Sequence, residues 1–492
     1  MGDVAEHHDI LILGAGLSGI NAAHVLREQL PHRKVTILEG RSVVGGTWNY
    51  FKYPGFRSDS GMTVFGFKWH PWPHQQQLAS GPELVSYIED AARKDGIMDQ
   101  IRFRHRVTHF EWRDEDQFWT LTVDADGTEK LFAANFVVLC TGYYSYDKAQ
   151  ETVIPSLDSF AGTVAHPQFW PKDLEYTDKK VVIIGSGATA ITMLPAMAKK
   201  AARVTMLQRS PSYVLSLSNK PTAIDWLLRA ALPRNWNNWL RWWKDLSYEF
   251  FATQFLVNFP KTSRWALTRM AKQQLPAHVD VNVHFNPRYN PTEQRLCLCP
   301  DGDFFKALHQ PNCEVVTDVI ERVTTDGVLL KSGRKLDADI VVTATGLYFQ
   351  IMDGKKPVVN GQPVDGGQRY TWRGGMLEGL PNMGYVFGYV VQSWTPGADA
   401  MTHTLVKVIR RMEDKKATKV VPELARYKGM PCELAVSATS NYFLSAADRI
   451  PKITGEDPWY GRTHWLRDSW SLWFGSMDDG LVYSAAEGKK DA

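Results

Sequence analysis

The sequence predicts an α/β protein built on two Rossmann-like dinucleotide-binding domains, with a helical insert in the second. Three observations predict it. An apolar run closing in GxGxxG lies at 9–19, a second closing in GxGxxA lies at 180–190, and 216–289 is rich in tryptophan and phenylalanine between prolines. A chain of 492 residues with 44% hydrophobic content can fill several cores, and a prior of about 150 residues per domain suggests roughly three units.

Asp9-Ile10-Leu11-Ile12-Leu13 reads as a buried parallel strand, and Gly14-Ala15-Gly16-Leu17-Ser18-Gly19 follows it at once. Gly14 permits the tight turn, Gly16 admits a pyrophosphate to the backbone with Ser18 close by, and Gly19 lets a helix from Leu17 to Leu30 pack on the strand. Pro31 ends that helix. The next strand, Val35 to Leu38, closes at Glu39, 25 residues after Gly14. A carboxylate there accepts hydrogen bonds from a ribose diol and repels a 2′-phosphate, so the first cradle suits FAD or NAD.

The pattern returns as Lys180 to Ile184 followed by Gly185, Ser186, Gly187, Ala188, Thr189 and Ala190. Its second strand, Val204 to Leu207, ends in Gln208-Arg209-Ser210 rather than in an acid. The guanidinium fork of Arg209 pairs well with a 2′-phosphate, with Ser210 beside it, so the second cradle reads as NADP(H). A protein holding FAD and NADPH moves hydride onto a flavin, and the electron acceptor then decides the chemistry.

Composition narrows the acceptor. With 56 Lys+Arg against 53 Asp+Glu the chain has no one-signed field, so no nucleic-acid partner is expected. Five cysteines, an odd number, argue against a disulfide framework and for a reducing, cytoplasmic setting. The acidic, His-bearing start from Met1 to Asp9 leads to the expectation of no signal peptide, and with no run of 18 uninterrupted apolar residues no transmembrane helix is expected. There is no CxxC or CxxxxC pair, and Cys297 and Cys299 alternate with leucines as a buried strand would. With no HExxH, carboxylate cluster or GxSxG, no metal and no serine nucleophile are expected. Dioxygen, a quinone-like acceptor, or no turnover at all remain open.

Phe160 to Pro171, FAGTVAHPQFWP, fits FxGxxxHxxxW followed by Pro. In that motif the chain resembles the Baeyer–Villiger monooxygenases, and Gly45-Gly46-Thr47-Trp48, Tyr53-Pro54-Gly55-Phe56-Arg57-Ser58-Asp59 and Ala344-Thr345-Gly346 are also similar to that family's segments. Tyr53-Pro54-Gly55, Met206 to Pro211 and Gln294 to Leu298 resemble the ethionamide-activating group within it. The resemblance implies insertion of one atom of O2 beside the carbonyl of apolar, open-chain ketones, and oxygenation of sulfides, through a C4a-peroxyflavin. It implies Arg295 as the fixed cation of the reaction and Asp59 as its partner beside the flavin. His166 is implied as a further catalytic or hinge-fixing residue. Gly46, Thr47, Trp48 and Val107 are implied as flavin contacts, and Arg57 and Ser58 as nicotinamide contacts. One departure stands out: Gln294 occupies the place where many relatives carry Lys before the catalytic arginine, which weakens the 2′-phosphate clamp.

The resulting division is an FAD domain over 1–150, a linker with the motif over 151–171, an NADP domain over 172–215 and 290–374 with the insert 216–289 between, and a return to the flavin domain over 375–492. Within 223–273 eight Lys/Arg stand against three Asp/Glu, 8 − 3 = +5. Such basic, aromatic helices suit a substrate cap, a homodimer face in place of a monomer, or a membrane surface. An N- or S-oxygenase without ketone activity, and a non-catalytic flavin-bound scaffold, are the competing readings.

Overall fold

The computed structural model describes residues 5–294, 296–424, 432–436 and 441–485, with backbone alone at 441 and 442. The strand Glu6–Leu13 lies between Val35–Glu39 and Thr128–Leu139, parallel to both, and Val35–Glu39 pairs onward with Ile101–Phe103. Every residue of Val35–Glu39 is buried, as a strand covered on both faces requires. An antiparallel meander, His105–Arg113, Phe118–Ala125 and Thr128–Leu139, extends the sheet. The late strand Met383–Tyr385 joins it in parallel beside Thr128–Leu139, and the helix Trp394–Asp414 packs against Leu17–Gln29. Sequence-distant segments thereby complete the first body.

The second body is a five-stranded, fully parallel sheet in the order Cys313–Thr317, Arg203–Gln208, Lys180–Ile184, Ile340–Thr343, Thr163–Ala165. Its edge strand comes from inside the FxGxxxHxxxW motif, so the segment read as a linker contributes a strand. Parallel pairing needs a crossover, here the helix Ala188–Met197. On the other face a three-stranded meander, Ile320–Thr324, Gly327–Leu330 and Lys335–Asp337, buries Val323, Val328, Leu330 and Leu336 against Val182, Ile184, Leu207 and Val341.

The insert forms the helices Ala223–Ala231, Arg234–Asn258 and Pro260–Gln274. Thr222 and Asp225 close a capping box at the first, Pro233 precedes the second, and Pro260 opens the third, where a missing N–H costs nothing. Cys297 and Cys299 are buried on the strand Cys297–Pro300, and burial pushes the Cys299 thiol up to about 12, so it is inert at neutral pH. Among the described residues no helix is long and apolar enough to cross a membrane, and no His, Cys, Asp and Glu group could hold a metal ion.

Candidate active site

Both glycine turns are forced by close approach. Gly14 has φ +103° and a side chain there would stand 2.6 Å from the Cys140 carbonyl oxygen, while one at Gly19 would stand 1.9 Å from the Gly14 oxygen. Gly185 repeats the first arrangement: its φ is +143° and a Cβ would lie 2.3 Å from the Ala344 carbonyl oxygen. Cys140-Thr141-Gly142 and Ala344-Thr345-Gly346 thus play the same part in the two bodies, each closing on the first glycine of its cradle.

In the first cradle Glu39 is buried and accepts hydrogen bonds from the Ala15 N–H at 2.7 Å and the Arg41 N–H at 2.9 Å. Burial pushes its carboxyl above the usual range, and those two bonds with the Arg41 charge oppose the rise. Each carboxylate oxygen keeps a further lone pair for a ribose hydroxyl. Arg41 also donates to the Gly46 carbonyl at 3.1 Å and to Asn49 Oδ1 at 2.7 Å, which staples the turn carrying Thr47 and Trp48. Tyr144 donates to Thr47 Oγ1 at 2.7 Å, the Trp394 indole donates to Ser18 Oγ at 2.8 Å, and Trp48 stacks on Phe56. Val107 lies buried on His105–Arg113, facing the same space.

In the second cradle Ser212 donates to Ser186 Oγ at 2.9 Å, and Gly187, Ala188 and Thr189 border the open space. Ala190 is fully buried in the helix–sheet contact, which a small residue permits. Arg209 and Ser210 are exposed at the rim, and Arg209 has no carboxylate partner among the described residues. That leaves a free guanidinium for a phosphate.

One cavity of about 2010 Å3 touches both cradles. Gly14, Gly16, Ser18, Glu39, Gly46, Thr47, Trp48, Gly185 and Ser186 line it, as do Arg57 and Asp59 between the two bodies. The loop holding Arg57 and Asp59 is pressed onto Ala188–Met197 at Gly55, where a Cβ would stand 2.8 Å from both the Thr192 oxygen and Ala196 Cβ. Arg57 forks onto Asp303, its second contact 3.1 Å, and so ties the loop to the second body. Ser58 turns inward instead: it donates to the Ser60 carbonyl at 2.9 Å, is buried, and lies outside the cavity lining.

His166 also stands outside the lining. Its Nδ1 accepts from the Gln168 N–H at 3.1 Å, its Nε2 has no partner among the described residues, and burial lowers its pKa, so the ring is neutral. Gln168 donates to the carbonyls of Ser145 at 2.7 Å and Lys148 at 3.1 Å, while Trp170 packs on the core of the second body. The motif therefore pins the strand Tyr144–Ala149 to the second sheet. Arg295 lies outside the described residues; its chain neighbours Gln294 and Cys297 line the cavity.

Sequence reasoning missed one buried cluster. Arg462 pairs with Asp468 at 2.6 Å, Tyr389 donates to the same carboxylate at 2.7 Å, and Arg462 and Tyr389 line the cavity. Nothing in the spacing of Arg462 and Asp468 within an aromatic tail marked it. Arg41 was equally silent, although it directly follows the Glu39-Gly40 strand end.

The model of the family described as flavin-binding monooxygenase-like matches residues 7–360. The chain belongs to that family. This flavin-binding monooxygenase is 41% identical over 479 residues to the FAD-containing monooxygenase EthA of Mycolicibacterium smegmatis, covering 97% of this chain and 96% of that protein. It is 40% identical over 480 residues to the probable FAD-binding monooxygenase AlmA of Acinetobacter baylyi, covering 97% and 96%. Its fold matches an oxidized steroid monooxygenase bound to NADP with TM-score 0.76 at 19% identity, over 98% of this chain and 100% of that one. It matches an open cyclohexanone monooxygenase with TM-score 0.75 at 18% identity, over the same shares. The protein is a flavoprotein monooxygenase, and its two cradles fit FAD and NADP(H).

Proposed function

We propose that this monooxygenase uses NADPH and O2 to insert one oxygen atom beside the carbonyl of apolar, open-chain ketones, giving esters, and to oxygenate sulfides. The observation that carries the reading is the single cavity shared by the two cradles, because reducing equivalents must pass directly between dinucleotides held in van der Waals reach. Bound FAD supplies oxygen activation, and the nicotinamide supplies the electrons. The chain's own residues do the rest. The N–H groups at the start of Leu17–Gln29 would hold one pyrophosphate, Glu39 the adenosine ribose, and Arg209 the 2′-phosphate.

Phe51, Phe56, Tyr143, Phe387 and Trp394 wall the cavity, which excludes water and favours apolar substrates. Arg295 supplies a cation that does not titrate at working pH and stabilises negative charge developing on oxygen, an effect of several kcal/mol in a dry site. Asp59 positions that cation. His166, neutral and outside the cavity, acts through the join between the bodies rather than on substrate. The chain divides into a flavin body over 1–150 and 375–492, whose sheet also takes in Val358–Val359, Gln362–Pro363 and Thr371–Trp372 from before the expected boundary, and an NADP body interrupted by the insert.

The test is incubation of the purified yellow protein with NADPH, O2 and panels of ketones and sulfides, with products read by mass spectrometry. Ester from a ketone supports the reading. Sulfoxides or N-oxides alone select the oxygenase without ketone activity, and no NADPH consumption selects a scaffold.

A further inference from the structure

The insert and the last helix leave an apolar surface that the catalytic reading does not use. Trp236 is 62% exposed, Trp265 63%, Trp470 67% and Trp473 75%. Burying an aromatic side chain removes roughly 150–250 Å2 from water, so these rings alone present several hundred Å2 of apolar surface, at the upper end of what a monomer usually shows. The two elements adjoin: Trp465, at the start of Trp465–Phe474, meets Trp243 edge-on at 5.7 Å.

Charge sorting on the insert is one-sided. Asp225 is buried and held by Arg241 at 3.2 Å and Lys244 at 2.6 Å, Asp245 pairs with Lys244 at 3.1 Å, and Glu249 accepts from the Ser393 N–H and hydroxyl. Every acid of 223–273 is thus engaged with the protein. The exposed charges there are Arg234, Lys261, Arg269 and Lys272, all cations. Arg269 lies over the ring of Trp265, which places a positive charge and an amphipathic ring side by side. Tryptophan prefers the headgroup level of a bilayer, and cations beside it are drawn to anionic headgroups. A protein partner or second copy large enough to cover this face would need matching acidic groups, and a second copy presenting its own 223–273 would bring exposed cations and only engaged acids.

We propose that the outer face of the insert, with the exposed edge of Trp465–Phe474, docks on an anionic lipid surface. Thr253, Gln254 and Val257 of the long insert helix, and Thr463 and His464 before the last helix, line the cavity. Docking therefore sets an entrance of the cavity against the bilayer, where apolar substrates concentrate. The docking itself stands whether or not the ketone reading does; only the delivery of substrate rests on it.

The experiment is co-sedimentation of the FAD-loaded full-length protein with vesicles of phosphatidylcholine alone and of phosphatidylcholine with phosphatidylglycerol, with sedimentation velocity run on the protein alone. The expected result is binding to the anionic vesicles at least several-fold stronger than to the neutral ones, weakening as salt rises. R269E/K272E should abolish that preference, and W470S/W473S should weaken binding to both vesicles, while flavin content and NADPH-driven flavin bleaching stay at wild-type levels. Equal or absent binding to both vesicles overturns the proposal. So does a stable dimer that dissociates in W470S/W473S, because the face is then an interface between copies. Loss of ester formation with lipid binding intact would sink the ketone reading and leave this one standing.

Discussion

In the proposed reading Glu39 and Arg209 divide the labour of telling two dinucleotides apart, and each role is testable alone. Glu39→Gln keeps the shape of the cradle but removes the charge that strengthens hydrogen bonds to a ribose, worth about 1.5–3 kcal/mol. The FAD dissociation constant should rise about tenfold or more, read by flavin fluorescence on titrating the apoprotein. Arg209→Ala should raise the KM for NADPH by roughly one to two orders of magnitude and leave that for NADH nearly unchanged, since a charge-assisted pair to the 2′-phosphate is all that is lost. Steady-state kinetics with both nucleotides check it, and equal losses for the two would remove Arg209 from phosphate recognition. Both residues were legible in the sequence because each sits where a strand ends after a glycine turn, a position fixed by local chain geometry. Arg41 and the Arg462–Asp468–Tyr389 cluster were not: Arg41 meets Gly46 and Asn49, and Arg462 meets Asp468, across short irregular turns that carry no motif, and only Tyr389 arrives from a segment remote in sequence.

At the level of elements, the βαβ units were readable because a buried parallel strand, a glycine turn and a helix follow one another without a gap. The edge strand Thr163–Ala165 was not: three residues beside a histidine carry no periodicity, and only pairing with Ile340–Thr343 makes them a strand. Gln168 is the anchor of this motif. Gln168→Leu leaves the Ser145 and Lys148 carbonyls without their donor, so the join between bodies should loosen. Flavin bleaching by NADPH should persist while ester formed per NADPH falls severalfold, with hydrogen peroxide making up the difference.

The insert carries a pH signature through Glu249, whose carboxyl burial raises to about 7 from an ordinary value of 4.5. Between those values the native state keeps a proton that the unfolded chain has lost. Stability contributed here therefore falls as pH rises from 4.5 to about 7 and is constant above. Glu249→Gln should flatten that part of the curve and stabilise the protein at alkaline pH by at most about 3 kcal/mol. Melting temperatures of both proteins from about pH 5 to about pH 8 check it; parallel curves would contradict it.

Across the whole molecule, chain connectivity explains how one active space arises from two similar units. The first sheet gains Met383–Tyr385, the helix Trp394–Asp414 packs against Leu17–Gln29, and Trp394 reaches back to Ser18 in the first turn of the chain's first helix. Arg57 on Asp303 and the close approach of Gly55 to Thr192 and Ala196 join the first body to the second. The presence of two nucleotide units was readable from their repeated turns, whereas their facing a common cavity was not, because relative placement depends on these long-range contacts. The measurement that bears most directly on the account uses 18O2. Protein first bleached by NADPH without oxygen is exposed to 18O2 with an apolar ketone. The account predicts an ester carrying one heavy oxygen atom; bleaching followed by heavy hydrogen peroxide and unchanged ketone in the wild-type protein would contradict it.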